Sequence, residues 1–331
     1  MRHVAANALT LLIVIALAVG GVIAWGVQEW RGDGPLTEPA AVRIPRGASI
    51  ARAGEILEAA GAVSDARLFR LGARYAGEDR AIQAGEFEIP PGASMQAVLR
   101  CLVDQSTCRR VTYAVTVTPG MTSWQAVEVV RAAEVMRGEI PEDAIPPEGR
   151  LAPDTYLVTR GDSRTELLAR MAAEQDRRLA EAWARRAEDL PVETPEEALI
   201  LASIIEKETA IPGERDVIAG VFANRLRAGM RLQTDPTVIY GVTRGREPLG
   251  RGLRRSELNA VTPWNTYQID GLPPTPIANP GRAALEAAVR PAETDYLFFV
   301  ADGEGGHVFA ETYSEHRRNV AVWRRLEAER D

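Results

Sequence analysis

The segment Thr194-Pro-Glu-Glu-Ala-Leu-Ile-Leu-Ala-Ser-Ile-Ile-Glu206 joins a helix start to an uncharged run of eight residues and ends on a carboxyl group. Thr194 precedes a proline and stands three residues before Glu197, which is typical of a capped helix with proline in its first turn. Because residues 198–205 are apolar on nearly every side, they predict a buried helix. A desolvated carboxyl group loses its preference for the charged form, which suits a general acid near neutral pH. Glu206 is therefore the first candidate for chemistry.

The position of Glu206 on this helix also allows a structural role. Helical spacing puts Glu206 on one face with Ala202 and Ser203, whose small side chains leave room for a ligand. Glu208 points to another face, roughly 200° away after two steps of 100°. A buried glutamate usually needs a partner, so an ion pair is the alternative interpretation. The candidate partners are Arg215, Arg225 and Arg231.

Two polar segments follow the helix, residues 231–241 and 264–281. Their amides and hydroxyls match sugar hydroxyls, and their Tyr and Trp rings can stack on sugar faces. The prolines among them are equally typical of turns, which is the alternative for that part of the pattern. The predicted substrate-binding residues are Ser203, Asn224, Gln233, Thr234, Asp235, Tyr240, Asn265, Thr266 and Tyr267.

The composition is that of a globular protein long enough for two or more domains. The chain has 331 residues, of which 46% are hydrophobic and 26% charged. Its formal net charge of −7 argues against general nucleic-acid binding, which needs clustered Lys and Arg. The three histidines show no metal-ligand spacing, and we expect neither a metal nor a cofactor.

The amino-terminal region predicts a membrane anchor. Residues 4–27 carry no charged side chain, and about 20 apolar residues suffice to span a bilayer as a helix. A cleaved signal peptide is the alternative, but its apolar core is usually shorter and no clear cleavage site follows. Trp25 and Trp30 fit an interfacial belt, and Arg2 is the positive flank. Residues 1–30 would then comprise a cytoplasmic amino terminus and the transmembrane anchor. The positive-inside rule puts the rest of the chain outside, in the periplasm.

The exported part begins with a predicted tether and a small subdomain. Residues 31–40, with two glycines and two prolines, predict a linker. A strand, a Pro/Gly turn and a helix then recur three times, with Ser49, Ser94 and Thr122 placed as helix caps. The first unit and the returning segment 83–90 resemble a LysM domain, a small carbohydrate-binding module, which we place at residues 41–108. A plain helix cap is the alternative interpretation of that pattern.

The two cysteines, Cys101 and Cys108, lie close in sequence. In an exported domain they could form a disulfide across a short turn. Two free thiols, one on a helix face and one in a loop, are the alternative.

Residues 109–331 predict a larger mixed α/β domain, so the fold class is α+β with one transmembrane helix. The alternating segment 111–117 predicts its first strand. Residues 164–188 predict a charged amphipathic helix whose buried side carries Leu167, Leu168, Met171 and Leu179.

Several long motifs together resemble the YceG-like (MltG-type) endolytic peptidoglycan transglycosylases. They are Leu201-Ala-Ser-Ile-Ile-Glu-Lys-Glu-Thr209, Asn224-Arg-Leu, Met230-Arg-Leu-Gln-Thr-Asp-Pro-Thr-Val-Ile-Tyr-Gly241, Asn265-Thr-Tyr and Gly271-Leu-Pro-Pro-Thr-Pro-Ile-Ala-Asn-Pro-Gly281. The resemblance implies that Glu206 is the catalytic acid and base on a buried helix. It also implies cleavage of the MurNAc–GlcNAc bond inside nascent glycan strands, leaving 1,6-anhydro-MurNAc ends and ending elongation. The loop 148–156 departs from the family, with Arg150 and Ala152 where bulky apolar or aromatic residues are usual.

Peptidoglycan strands and the membrane are the partners that this resemblance implies, with membrane-bound peptidoglycan synthases as further partners. Two other functions stay open at this point. One is a glycoside hydrolase using Glu206 and Asp235 as its pair of carboxylates. The other is a non-catalytic scaffold that binds glycan, in which Glu206 is structural.

Overall fold

The chain folds into two compact units of mixed helix and strand. The computed structural model describes residues 2–104 and 107–328. Unit 1 is Met1–Tyr113 with Leu157–Gly161, and unit 2 is Ala114–Tyr156 with Asp162–Asp331. The predicted mixed α/β architecture with one apolar amino-terminal helix is confirmed.

The elements up to residue 110 are α1 (Arg2–Arg31), β1 (Ala40–Ile44), α2 (Ile50–Ala59), α3 (Ala66–Tyr75), β2 (Gly85–Ile89), α4 (Met95–Val103) and β3 (Arg109–Arg110). Those that follow are β4 (Tyr113–Val117), α5 (Ser123–Ala132), β5 (Asp154–Val158), α6 (Arg164–Ala184), α7 (Pro195–Glu208), α8 (Arg215–Arg227), α9 (Asp235–Thr243), α10 (Arg255–Asn259), α11 (Arg282–Val289), β6 (Phe298–Ala301), β7 (His307–Ala310) and α12 (Tyr313–Ala328). Two short 3-10 turns lie at Glu142–Ala144 and Pro212–Glu214.

Unit 1 is built on a sheet of order β1-β2-β3 in which β1 and β2 are antiparallel, and its elements after α1 begin β1-α2-α3-β2. Phe69 and Phe87 are fully buried in its core. The predicted caps are confirmed, since Ser49 accepts from the Arg52 N–H and Ser94 from the Ala97 N–H. A disulfide joins Cys101, at the buried side of α4, to Cys108.

The segment predicted as a tether, residues 31–40, is instead bound to unit 1. The Gly34 N–H donates to Gly92 O at 3.2 Å, and the Gly92 N–H donates to Leu36 O at 2.8 Å. The Trp30 ring lies 6.1 Å from the Phe69 ring, so it packs on the unit 1 core. Backbone hydrogen bonds thus fix the segment that its Gly and Pro content predicted as a linker.

The apolar part of α1, Leu9–Arg31, has a mean hydropathy of 2.5 and is long enough to cross a membrane. Its apolar side chains are exposed, Leu17 at 71% and Trp25 at 61%. The side chain of Arg2, the predicted positive flank, lies outside the described residues. By length and composition α1 is a candidate membrane span.

Unit 2 encloses α7 between α6, α8 and α11. Every residue from 198 to 205 is buried, which confirms the predicted buried helix. The Thr194 hydroxyl accepts from the Glu197 N–H as predicted, but the Glu197 carboxylate accepts from the Glu193 N–H and so leaves the capping box incomplete. Thr122 and Gln125 form a full capping box at α5. Helix α6 ends at Ala184, four residues before its predicted end, and its four predicted core residues are buried.

Candidate active site

Glu206 lies in the last turn of α7, with 7% of its side chain exposed. Its Oε2 atom accepts a hydrogen bond of 2.9 Å from the Gly281 N–H, and its Oε1 atom lies 3.8 Å from Arg215 Nη2. The other two predicted ion-pair partners bind elsewhere, Arg225 to Leu297 O and Arg231 to Asp270. Glu206 thus has one backbone hydrogen bond, and of the three predicted partners Arg215 alone lies at ion-pair distance, in a loose pair at 3.8 Å.

Two loops meet beside this carboxyl group and are joined by Asn279. The Gly120 N–H donates to Asn279 O at 3.0 Å, and both Asn279 N and Nδ2 donate to Met121 O at 2.8 and 3.0 Å. Lys207, next to Glu206, donates through Nζ to Gly120 O at 3.3 Å. Asn279 is fully buried and was missed among the predicted site residues. Its Asn-Pro-Gly context was the available signal, since that turn places the Gly281 N–H on Glu206.

Glu148 is a second carboxyl group that the sequence prediction missed. It accepts a hydrogen bond of 2.6 Å from the Ser123 N–H. Burial nevertheless raises the pKa of Glu148 above its usual value. Burial first, and then the Glu148 carboxylate beside it, raises the pKa of Tyr240 to about 12. The Tyr240 hydroxyl therefore keeps its proton near neutral pH and can donate a hydrogen bond to Glu148.

Glu208 is a third such group, at the carboxyl end of α7. It accepts a hydrogen bond from the Thr234 hydroxyl, and burial raises its pKa. As the helical wheel predicted, Glu208 lies on another face of α7 than Glu206, and on that face its carboxyl group contacts Thr234.

Five of the predicted substrate-binding residues are hydrogen-bonded inside the fold. The Ser203 hydroxyl, fully buried, donates to Ile200 O and accepts from the Ile277 N–H. Asn265, also fully buried, donates to three backbone carbonyl oxygens between residues 257 and 260. Asn224, Thr234 and Thr266 likewise bind backbone or neighbouring hydroxyl and carboxyl groups. In this conformation they hold the loops in place, and their contact with a substrate stays a prediction.

The remaining predicted residues present atoms to solvent. Gln233 is exposed and has φ of 53°, a left-handed backbone conformation that residues other than glycine rarely adopt. Asp235 is exposed and accepts a hydrogen bond of 2.7 Å from the Tyr267 hydroxyl. The Tyr240 ring lies 5.9 Å from the Trp264 ring. Strained, exposed polar residues beside aromatic rings are typical of a binding surface.

Unit 2 therefore combines a buried glutamate, held at the end of an apolar helix, with exposed amide, carboxylate and aromatic groups. This arrangement is suited to acid–base chemistry on a polar substrate. The chain belongs to the YceG-like family, whose model matches residues 42–322. The resemblance drawn from the motifs is thus confirmed.

Relatives and a solved structure agree with this family. The chain is 29% identical to the endolytic murein transglycosylase of Bacillus subtilis over 91% of this chain and 90% of that protein. It is 28% identical to the endolytic murein transglycosylase of Streptococcus pneumoniae over 96% of this chain and 65% of that protein. A crystal structure of a YceG-like protein from Listeria monocytogenes is similar with a TM-score of 0.51 and 27% identity, over 85% of this chain and 99% of that one.

Proposed function

We propose that this protein is an endolytic peptidoglycan lytic transglycosylase, a lyase in which Glu206 is first the acid and then the base. The observation that carries this proposal is the environment of Glu206, buried at the end of α7 with Oε2 held by the Gly281 N–H. Membership of the YceG-like family and two relatives named endolytic murein transglycosylase support it.

The geometry of Glu206 suggests how one carboxyl group serves both steps. Among the described residues, Oε1 has no hydrogen bond, so it is the oxygen placed to carry the proton. Protonated Glu206 donates to the glycosidic oxygen as the bond to the MurNAc anomeric carbon breaks. The carboxylate then takes the proton of the MurNAc 6-hydroxyl while that oxygen attacks the anomeric carbon. The products are a new GlcNAc end and a 1,6-anhydro-MurNAc end, without added water.

The two neighbours of Glu206 can stabilise the charged form between the steps. The Gly281 N–H already points at Oε2, and Arg215 Nη2 lies 3.8 Å from Oε1. A backbone donor at a helix amino terminus favours an anion. In this proposal a second carboxylate is unnecessary, because the nucleophile belongs to the substrate.

We also infer the location and the role of unit 1. The exposed apolar helix α1 supports an anchor in the cytoplasmic membrane, with the amino terminus inside and both units outside. The Cys101–Cys108 disulfide fits an oxidising compartment. The order β1-α2-α3-β2 with antiparallel β1 and β2 supports the LysM-like assignment of residues 41–108. Membrane-bound peptidoglycan synthases are the partners that this location favours.

Glu206→Gln tests the chemistry. Glutamine keeps the size and can hold the Gly281 N–H, but it cannot exchange a proton, so turnover should fall by at least about 10²–10⁴-fold. Glu196→Gln, in the exposed first turn of the same helix, is the control and should remain active. The measurements are anhydro ends released from sacculi, by mass spectrometry, and the melting temperature.

The outcomes separate the rival functions. A Glu206→Gln protein that melts normally and makes no anhydro ends supports the proposal. Loss of activity only through unfolding would mean a structural Glu206. Reducing MurNAc ends as the main wild-type product would mean hydrolysis, with Asp235 in a second role. Sedimentation with sacculi without any new chain ends would mean a glycan-binding scaffold.

A further inference from the structure

An arginine-lined cleft opens in unit 2 between α6, α8 and α11. Its volume is 560 Å³. Three acidic residues also line it, so its net charge is +2. The arginines are Arg178, Arg185, Arg215, Arg282 and Arg290. Such a density of guanidinium groups is typical of sites for carboxylate or phosphate groups.

Two of these arginines are already neutralised. Arg178 binds Asp154 and Glu174, both at 2.6 Å. Arg282 binds Glu181 at 3.2 Å. These pairs hold the cleft walls and leave little charge for a ligand.

Three other arginines keep donors to spare. Among residues 2–104 and 107–328, Arg185 and Arg290 have no ion-pair or side-chain hydrogen-bond partner. Arg215 Nε is buried without a hydrogen-bond partner. Because a buried donor left without a partner costs free energy, a bound anion would satisfy what the fold leaves open.

The amino terminus of α11 adds donors on the same side. Its first residues, Arg282 and Ala283, line the cleft, and the N-cap Gly281 supplies no side-chain cap. Free backbone N–H groups and the helix dipole favour negative charge there.

The cleft adjoins Glu206 through Arg215, which lines the cleft and also lies 3.8 Å from Glu206 Oε1. In peptidoglycan the lactyl group on C3 of MurNAc carries a peptide with several carboxylates. That sugar is also the one whose anomeric carbon reacts. We propose that the cleft binds the carboxylates of the peptide stem on the MurNAc residue at the scissile bond. This inference rests on the proposed function for its substrate class.

The test is a binding measurement on the detergent-solubilised full chain. The probes are a soluble GlcNAc–anhydroMurNAc–tetrapeptide and the same disaccharide with its peptide removed. The affinity of each is measured by calorimetry. Wild type should bind the peptide-bearing fragment more tightly. The double variant Arg185→Gln/Arg290→Gln should weaken that binding about tenfold or more, since charged hydrogen bonds are lost, and should leave the peptide-free fragment unaffected.

Arg170→Gln is the matched control, because Arg170 is exposed on α6 and does not line the cleft. Arg215 is left intact, since it contacts Glu206. Equal wild-type affinity for both fragments, or a double variant that binds like wild type, overturns the inference. Displacement of the peptide-bearing fragment by equimolar inorganic pyrophosphate also overturns it, in favour of a phosphate ligand. Binding is measured without turnover. A protein that makes no anhydro ends would therefore contradict the proposed function, while the binding result could still be interpreted.

Discussion

Glu206 depends on a neighbour that has no side chain. Gly281 has φ of −77° and ψ of 171°, an extended conformation that any residue adopts. A Cβ atom built there would lie 3.3 Å from Glu206 Oε2 and 3.2 Å from Pro119 Cγ. A side chain at this position is therefore disfavoured by the closeness of Pro119 and of the Glu206 carboxyl group and not by the backbone conformation.

Gly281→Ala should reduce turnover while the fold persists. The methyl group would push Glu206 by a few tenths of an ångström, and since catalysis is sensitive to small misplacements we expect a loss of about tenfold or more. Gly252→Ala is the control, because a Cβ there meets nothing within 4 Å. Anhydro-product formation and melting temperature are to be compared for both variants. Full activity of Gly281→Ala would contradict the placement of Glu206 described above.

The buried carboxyl of Glu208 should make stability depend on pH. Its folded pKa is raised above 4.5 by burial, so the folded state holds the proton more tightly than the unfolded state. This contribution is complete below about pH 4.5 and is lost as the pH rises through the folded value. Glu208→Gln cannot titrate, and it should lack this loss of stability.

Chemical denaturation of both proteins between pH 4 and 9 checks this sign. The difference in unfolding free energy, wild type minus Glu208→Gln, should decrease as pH rises, with a slope of at most about 1.4 kcal/mol per pH unit for one proton. Taking the difference removes the contribution of carboxylates whose folded pKa is lowered. Glu174 is one of these, because hydrogen bonds from Arg177 and Arg178 lower its pKa to about 2. Parallel curves would contradict the buried state of Glu208.

At this scale the sequence located Glu206 but not its surroundings. A charged residue at the end of an apolar run can be recognised from the sequence alone, so Glu206 could be singled out. Residue type gives Ser203 and Asn265 their hydrogen-bonding capacity but not its direction, and both bind the backbone. The burial of Glu148 and Glu208 comes from segments far away in sequence, which no local pattern contains.

Among the elements, helix starts were predictable because a cap is local chemistry. Ser49, Ser94 and Thr122 each accept from the N–H three residues ahead, as their spacing indicates. The apolar spacing likewise predicted the buried faces of α6 and α7. The attachment of segment 31–40 was not predictable, because it comes from backbone hydrogen bonds with residue 92, which the glycine content of the segment does not indicate.

The Cys101–Cys108 disulfide, which joins α4 to the chain beyond it, should stabilise unit 1 modestly. The two cysteines are separated by seven positions, and closing so short a loop is worth roughly 2–3 kcal/mol in the chain-entropy model. Cys101→Ala/Cys108→Ala should therefore lower the free energy of unfolding by about that amount, and reduction of the wild type should have a similar effect. Mass spectrometry of unreduced, exported protein should find neither thiol alkylated. Two alkylated thiols would contradict the bond.

For the whole molecule, α1 has two parts with different surroundings. From residue 9 to residue 25 its apolar side chains are exposed, whereas Trp30 packs so closely that a Cβ at Gly72 would lie 2.3 Å from its ring. The hydropathy pattern predicted the span but could not predict that its last turn belongs to the core of unit 1. That contact depends on α3, which folds from a separate part of the chain.

This division predicts different effects for two truncations. Wild-type protein should stay in the membrane fraction after a high-salt wash, and its amino-terminal sequence should begin before residue 20. Removal of residues 2–24 should release a soluble protein with an unchanged melting temperature, because those residues leave the core of unit 1 intact. Removal of residues 2–31 should release it as well but destabilise unit 1 by about 3–5 kcal/mol, the usual cost of deleting a packed tryptophan side chain.

A mature protein that begins beyond residue 20 would instead mean that the helix is a cleaved signal. Equal melting of the two truncated proteins would mean that Trp30 contributes nothing to the fold.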